Sequence, residues 1–139
     1  MTPTLLGRWE TRFFLLATVG VIITLIVGLV VKNVVTPFLL LGYVFLFGLA
    51  WDALYQYILT FRWDRDWPTS FQVLAGVVEG ALVWLLVHYV GLPGIPSTAM
   101  PFAVFISMYA SIWLITFIIA QGPLRTLLVR WRYQGGEWF

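Results

Sequence analysis

The chain contains no cysteine, which removes disulfides, thiol redox chemistry, iron–sulfur clusters and thiolate metal sites in one step. Charge is scarce too, with eight Lys and Arg and six Asp and Glu making up 10% of the residues. That is too little to cover a water-facing globule. The net charge of +2 and its clustering give no footprint for nucleic acid. There is one histidine, His88. No G-x-S-x-G, H-E-x-x-H, P-loop or dinucleotide fingerprint occurs, so no motif points to an enzyme. Internal repeats and low-complexity segments are missing as well, and 139 residues leave room for one domain.

What the chain has is apolar length. Hydrophobic residues make up 61% of it and the mean hydropathy is +0.93, which describes an all-α integral membrane protein. Four spans are expected, at 13–31, 34–61, 69–90 and 101–120, each near the length needed to cross about 30 Å of hydrocarbon. The Val and Ile of the first span would favour strand in water, but in lipid an isolated strand leaves its backbone unsatisfied, so helix wins. This span is too long for a signal h-region, and no A-x-A-like site follows it, so it is read as uncleaved. Lys32 and Asn33 form the turn, and Pro37 suits the first turn of the second helix. Pro68 marks the start of the third, with Asp66 as its expected cap. After the fourth span, residues 123–139 read as an amphipathic interfacial tail. Leu124, Leu127, Leu128 and Trp131 share its apolar face, and Arg125, Arg130 and Arg132 carry its charge.

The stretch 51–80 organises the rest. It holds a carboxylate at each end, Asp52 and Glu79, around the charged hairpin Arg62-Trp63-Asp64-Arg65-Asp66-Trp67-Pro68. The two acids are nearly equidistant from the tip, so on adjacent helices they lie at similar depth, about 12–15 Å inside the boundary. An ionisable group inside a span costs on the order of 3 kcal/mol, so each is expected to be paired, protonated or functional. Two readings follow. One is a polar clasp, with the pair sharing a proton or held by an arginine rising from the inner face, and with Tyr55, Gln56 and Gln72 as bonding partners. The other is a proton or cation site. In a clasp, Asp52→Asn and Glu79→Gln would keep the hydrogen bonds and leave stability unchanged or raised.

Small residues mark close helix contacts: Gly48 one turn before Asp52, the Gly76/Gly80 pair of a G-x-x-x-G, and Ala103, Ser107 and Ser111 at every fourth position of the last span. The hairpin, Arg62 through Trp67, is a self-neutralising tip or a candidate docking loop, because Trp and Arg are enriched at hot spots. His88 is read as a hydrated interfacial side chain, with haem or chlorophyll ligation as the lesser alternative and no metal site implied. The resulting expectation is a non-catalytic membrane protein that associates with lipids and other transmembrane helices, as an accessory subunit or a homo-oligomer. The alternatives are a small proton- or cation-coupled transporter using Asp52 and Glu79, and a cofactor subunit using His88.

Seven of the eight basic residues fall on one side of the four-span arrangement and only Lys32 on the other, which places both termini in the cytoplasm. A bacterial inner membrane is the expected location. Accessibility labelling should therefore find tags at either terminus inside and a reporter in the 92–99 loop outside. A terminus found outside would overturn the arrangement.

Overall fold

The computed structural model describes residues 4–64, 68–96, 98 and 100–138. Among these residues the structure is helical, and four helices are long and apolar enough to cross a membrane. We label them α1 (Leu5–Val31), α2 (Val35–Leu59), α3 (Thr69–Val90) and α4 (Phe102–Gln121); two single turns follow, α5 (Pro123–Leu127) and α6 (Val129–Tyr133). They form a four-helix bundle in which α1 and α3 each lie against α2 and α4, so α1 and α3 occupy a diagonal.

The largest difference from the sequence reading is where α1 begins. It starts at Leu5, because Thr4 caps it: the Thr4 hydroxyl accepts from the Gly7 N–H at 3.1 Å. Arg8 and Arg12 therefore lie on the first long helix itself and do not precede it. A π-helical turn at Leu16–Gly20 interrupts α1 just after this basic stretch. At its far end Lys32 takes the left-handed conformation, φ 58°, and the Asn33 N–H bonds the Gly28 carbonyl at 3.0 Å. The Asn33 amide then donates to the Thr36 hydroxyl at 3.0 Å, so the expected Lys32–Asn33 turn also opens α2. The cap expected of Asp66 lies outside the described residues.

The bundle is divided along its length. Its apolar half, at the loop end, buries Leu40, Leu41, Val83, Val87, Phe105 and Met108. The 91–100 connection folds over this end, with Ile95 and Met100 buried in the core and the Tyr43 hydroxyl donating to the Pro93 carbonyl at 2.6 Å. The half that carries the chain termini buries charge instead.

Close contacts between α3 and α4 depend on glycine. A Cβ at Gly76 would collide with the Trp113 indole, and one at Gly80 would lie 2.5 Å from the Tyr109 ring. The Tyr109 hydroxyl donates to the Gly76 carbonyl at 2.8 Å, which locks this crossing. The G-x-x-x-G is therefore filled from within the chain, by aromatic rings of α4 and not by a second backbone. Val77, between the two glycines, is exposed. Gly80→Leu should lower thermal stability in detergent by more than about 2 kcal/mol through overpacking, whereas Val77→Leu should change it by less than about 0.5 kcal/mol. Equal tolerance of both would show that the crossing is not what the glycines serve.

Candidate functional site

The charged half of the bundle is built around Arg12. Its Nε donates to Asp52 Oδ2 at 2.7 Å and its Nη2 to Asp52 Oδ1 at 2.9 Å, a two-pronged fork. Its Nη1 reaches Glu79 Oε2 at 3.4 Å. One guanidinium thus ties α1 to α2 and, across the diagonal, to α3. Asp52 is 3% exposed and Glu79 8%, so neither carboxylate has water enough to stand alone. The Arg12 guanidinium sits between the two acids, as in the arginine variant of the clasp. The arginine comes from α1.

Gly48 takes its meaning from the same contact. A Cβ there would collide with the Arg12 guanidinium, so this glycine makes room for a side chain and not for a neighbouring helix. Tyr55, one turn beyond Asp52 on α2, is buried, stacks on Trp51 at 5.7 Å and faces the same interior. Gln72 receives a hydrogen bond from Gln121 at 2.6 Å, which joins the beginning of α3 to the end of α4. Gln56 stands apart from this group and takes no part in lining it.

Between these side chains lies a cavity of about 220 Å³. Arg8, Arg12, Arg125, Asp52, Glu79 and Gln72 contribute its polar wall, and Leu15, Trp113, Phe117 and Trp131 its apolar wall. The C-terminal tail closes one side. It is not one amphipathic helix: the backbone breaks at Leu128, φ −106° and ψ 74°, and the chain folds back onto α1. The Trp131 indole donates to the Thr11 hydroxyl at 2.9 Å, and that hydroxyl donates to the Gly136 carbonyl at 3.1 Å. The Trp138 N–H bonds Glu10 at 2.7 Å, and the Thr4 N–H bonds the Gly135 carbonyl at 3.0 Å. Gly135 and Gly136 both have positive φ, and a Cβ on Gly7 would collide with them, so the tail meets α1 backbone to backbone. Leu124 and Trp131 are buried as expected of an apolar face, while Leu127 and Leu128, on the same predicted face, are exposed.

The remaining candidates lie elsewhere. His88 is exposed and stacks on Trp84 at 5.2 Å, at the opposite end from the charged cluster. No group of three or more His, Cys, Asp or Glu stands together among the described residues. In the hairpin, Arg62 pairs with Asp64 at 3.1 Å and Trp63 is 96% exposed, while Arg65, Asp66 and Trp67 lie outside the described residues. Ala103, Ser107 and Ser111 are exposed on α4.

Sequence reasoning missed Arg8, Arg12 and Arg125 as site residues. A signal was available for the first two: Arg8, Arg12 and Leu15 or Leu16 recur at helical spacing, and Thr4 with Gly7 places a helix start before them. Two buried acids also call for a cation, and α1 carries the nearest pair. Compared with protein-family models, with known proteins and with solved structures, the chain matches none, so the site is read from its geometry alone.

Removing the Asp52 charge breaks the fork and leaves the Arg12 guanidinium, 21% exposed, with Glu79 at 3.4 Å as its remaining counter-charge. Asp52→Asn should therefore cost about 3–5 kcal/mol of stability, opposite in sign to the outcome the sequence reading expected of a clasp. Arg12→Met combined with Asp52→Asn should cost much less than the two single changes added together. Coupling near zero in a double-mutant cycle, read by thermal unfolding in detergent, would show that the fork carries no energy.

Proposed function

We propose that the protein is a small, non-catalytic integral membrane protein that works by helix–helix association, as an accessory or assembly subunit or as a homo-oligomer. We place it in a bacterial inner membrane with both termini cytoplasmic, on the strength of the basic-residue asymmetry. The observation that carries the association reading is the outward stripe of α4. Ala103, Ser107, Ala110 and Ser111 are exposed along one side of a helix that otherwise shows lipid large apolar side chains such as Phe102, Ile106, Leu114 and Ile118. Small residues on a lipid-facing helix leave a shallow groove into which another backbone can settle closely. The Ser107 hydroxyl donates to the Ala103 carbonyl, so this donor is not left unpaired in lipid. Gly42 on α2 offers a second such place, since a Cβ there would meet nothing within 4 Å. The other small-residue motif, Gly76/Gly80, is consumed inside the bundle.

A proton- or cation-coupled transport reading draws support from the cavity that reaches both Asp52 and Glu79. Against it stands Arg12, which occupies the oxygens that a transported cation would need.

The chain has no cysteine, so a single Ser107→Cys gives an unambiguous cross-linking site. Oxidation in native membranes should trap a covalent dimer or a heteromeric adduct at Ser107→Cys, and none at Val77→Cys. Ser107→Leu with Ser111→Leu should abolish the associated species while leaving unfolding temperature within a few degrees of wild type. Unchanged association in the double leucine variant would overturn the reading. Proton or cation flux in proteoliposomes that disappears in both Asp52→Asn and Glu79→Gln, with the fold intact, would replace it with transport.

A further inference from the structure

We propose that the cavity lined by α1, α2, α3, α4 and the C-terminal tail is a binding site for an oxyanion, a phosphate or carboxylate group. This goes beyond association and is independent of it. The first ground is charge. Three arginines, Arg8, Arg12 and Arg125, line the cavity against two carboxylates, Asp52 and Glu79. Both carboxylates are already engaged by Arg12, at 2.7 and 3.4 Å. A cation entering here would meet no uncommitted carboxylate on the lining and would face Arg125; an anion meets the reverse.

The second ground is an unmet donor. The Nε of Arg125 is buried, and among the described residues it has no hydrogen-bond partner. Buried polar groups are almost always paired, and an N–H on a formally charged group is among the most costly to leave without an acceptor. Arginine presents its donors as a planar fork, which suits two oxygens of one phosphate or carboxylate. Arg125 is held facing the cavity because Gly122 and Pro123 end α4 and start α5 at this point, while Leu124 is fixed in a cluster with Leu15 and Trp131.

The third ground is shape. About 220 Å³ of space compares with roughly 30 Å³ per water molecule in the liquid, so an oxyanion and a few waters or a short apolar tail can be held. The opposite wall of Leu15, Trp113, Phe117 and Trp131 accepts an apolar tail. The site lies in the half of the bundle that carries both termini, toward the level where lipid headgroups sit if α1–α4 span the bilayer. One chemistry therefore has two sources, the phosphate of an anionic lipid headgroup or a small soluble anion.

The test uses the full-length protein in zwitterionic detergent, read by the fluorescence of its tryptophans, two of which wall the cavity, and by thermal shift. Inorganic phosphate is titrated in one arm. In a second arm the protein sits in nanodiscs of phosphatidylcholine with increasing phosphatidylglycerol. A saturable response is expected in at least one arm: phosphate alone identifies a soluble oxyanion, and phosphatidylglycerol alone a headgroup. Arg125→Gln should weaken that response about tenfold or more, Arg125→Lys should restore part of it, and Arg130→Gln should leave it unchanged, because Arg130 is exposed and bonds Gln134. No saturable response in either arm, or a response equally strong in Arg125→Gln, would overturn the proposal.

Discussion

The fork of Arg12 on Asp52, with Glu79 as a third member, is the contact on which the charged half of this bundle depends. Any one of the three side chains, placed by itself this far from bulk water, would cost several kcal/mol. Together they satisfy one another only if α1, α2 and α3 are held in a single register, since the fork is two hydrogen bonds at 2.7 and 2.9 Å and tolerates little sliding. The cluster is thus a poor source of net stability compared with apolar packing, and a strong constraint on arrangement. A half-turn rotation of α1 would carry Arg12 out of reach of both acids and leave them unpaired.

That constraint explains details that would otherwise look unrelated. Gly48 gives the guanidinium its room, and Gly76 and Gly80 let Trp113 and Tyr109 close over the other side of the cluster. The Thr4 cap starts α1 early enough for Arg12 to be helical and therefore fixed in direction. In the apolar half no such devices are needed, because Leu40, Val83, Val87, Phe105 and Met108 pack by shape alone.

The tail completes the charged half. Trp131 brings an indole N–H that Thr11 accepts, so an aromatic ring that would suit the membrane interface is instead turned inward as a wall. The backbone contacts of residues 135–136 with Thr4, Gly7 and Thr11 join the two ends of the chain, which ties the closing of the cavity to the capping of α1.

The four long apolar helices, the turn at Lys32 and Asn33, and the placing of Asp52 and Glu79 at similar depth on neighbouring helices were legible in the sequence, because each follows from local composition and from helical rise. The small-residue motifs were legible as positions but not as contacts: nothing in the pattern says that Gly76 and Gly80 meet aromatic rings of the same chain while Ala103, Ser107 and Ser111 face out. Counting positive residues by side also led Arg8 and Arg12 to be assigned to a cytoplasmic flank, since that rule treats arginine as a topological marker and is blind to where a guanidinium turns. Only the tertiary structure decided that Arg12 faces the two acids and that Arg125 and the tail enclose a cavity beside them. The physical reason is that a long, flexible cation can lie either in the headgroups or inside the bundle. The choice rests on carboxylates supplied by helices forty and sixty-seven residues away.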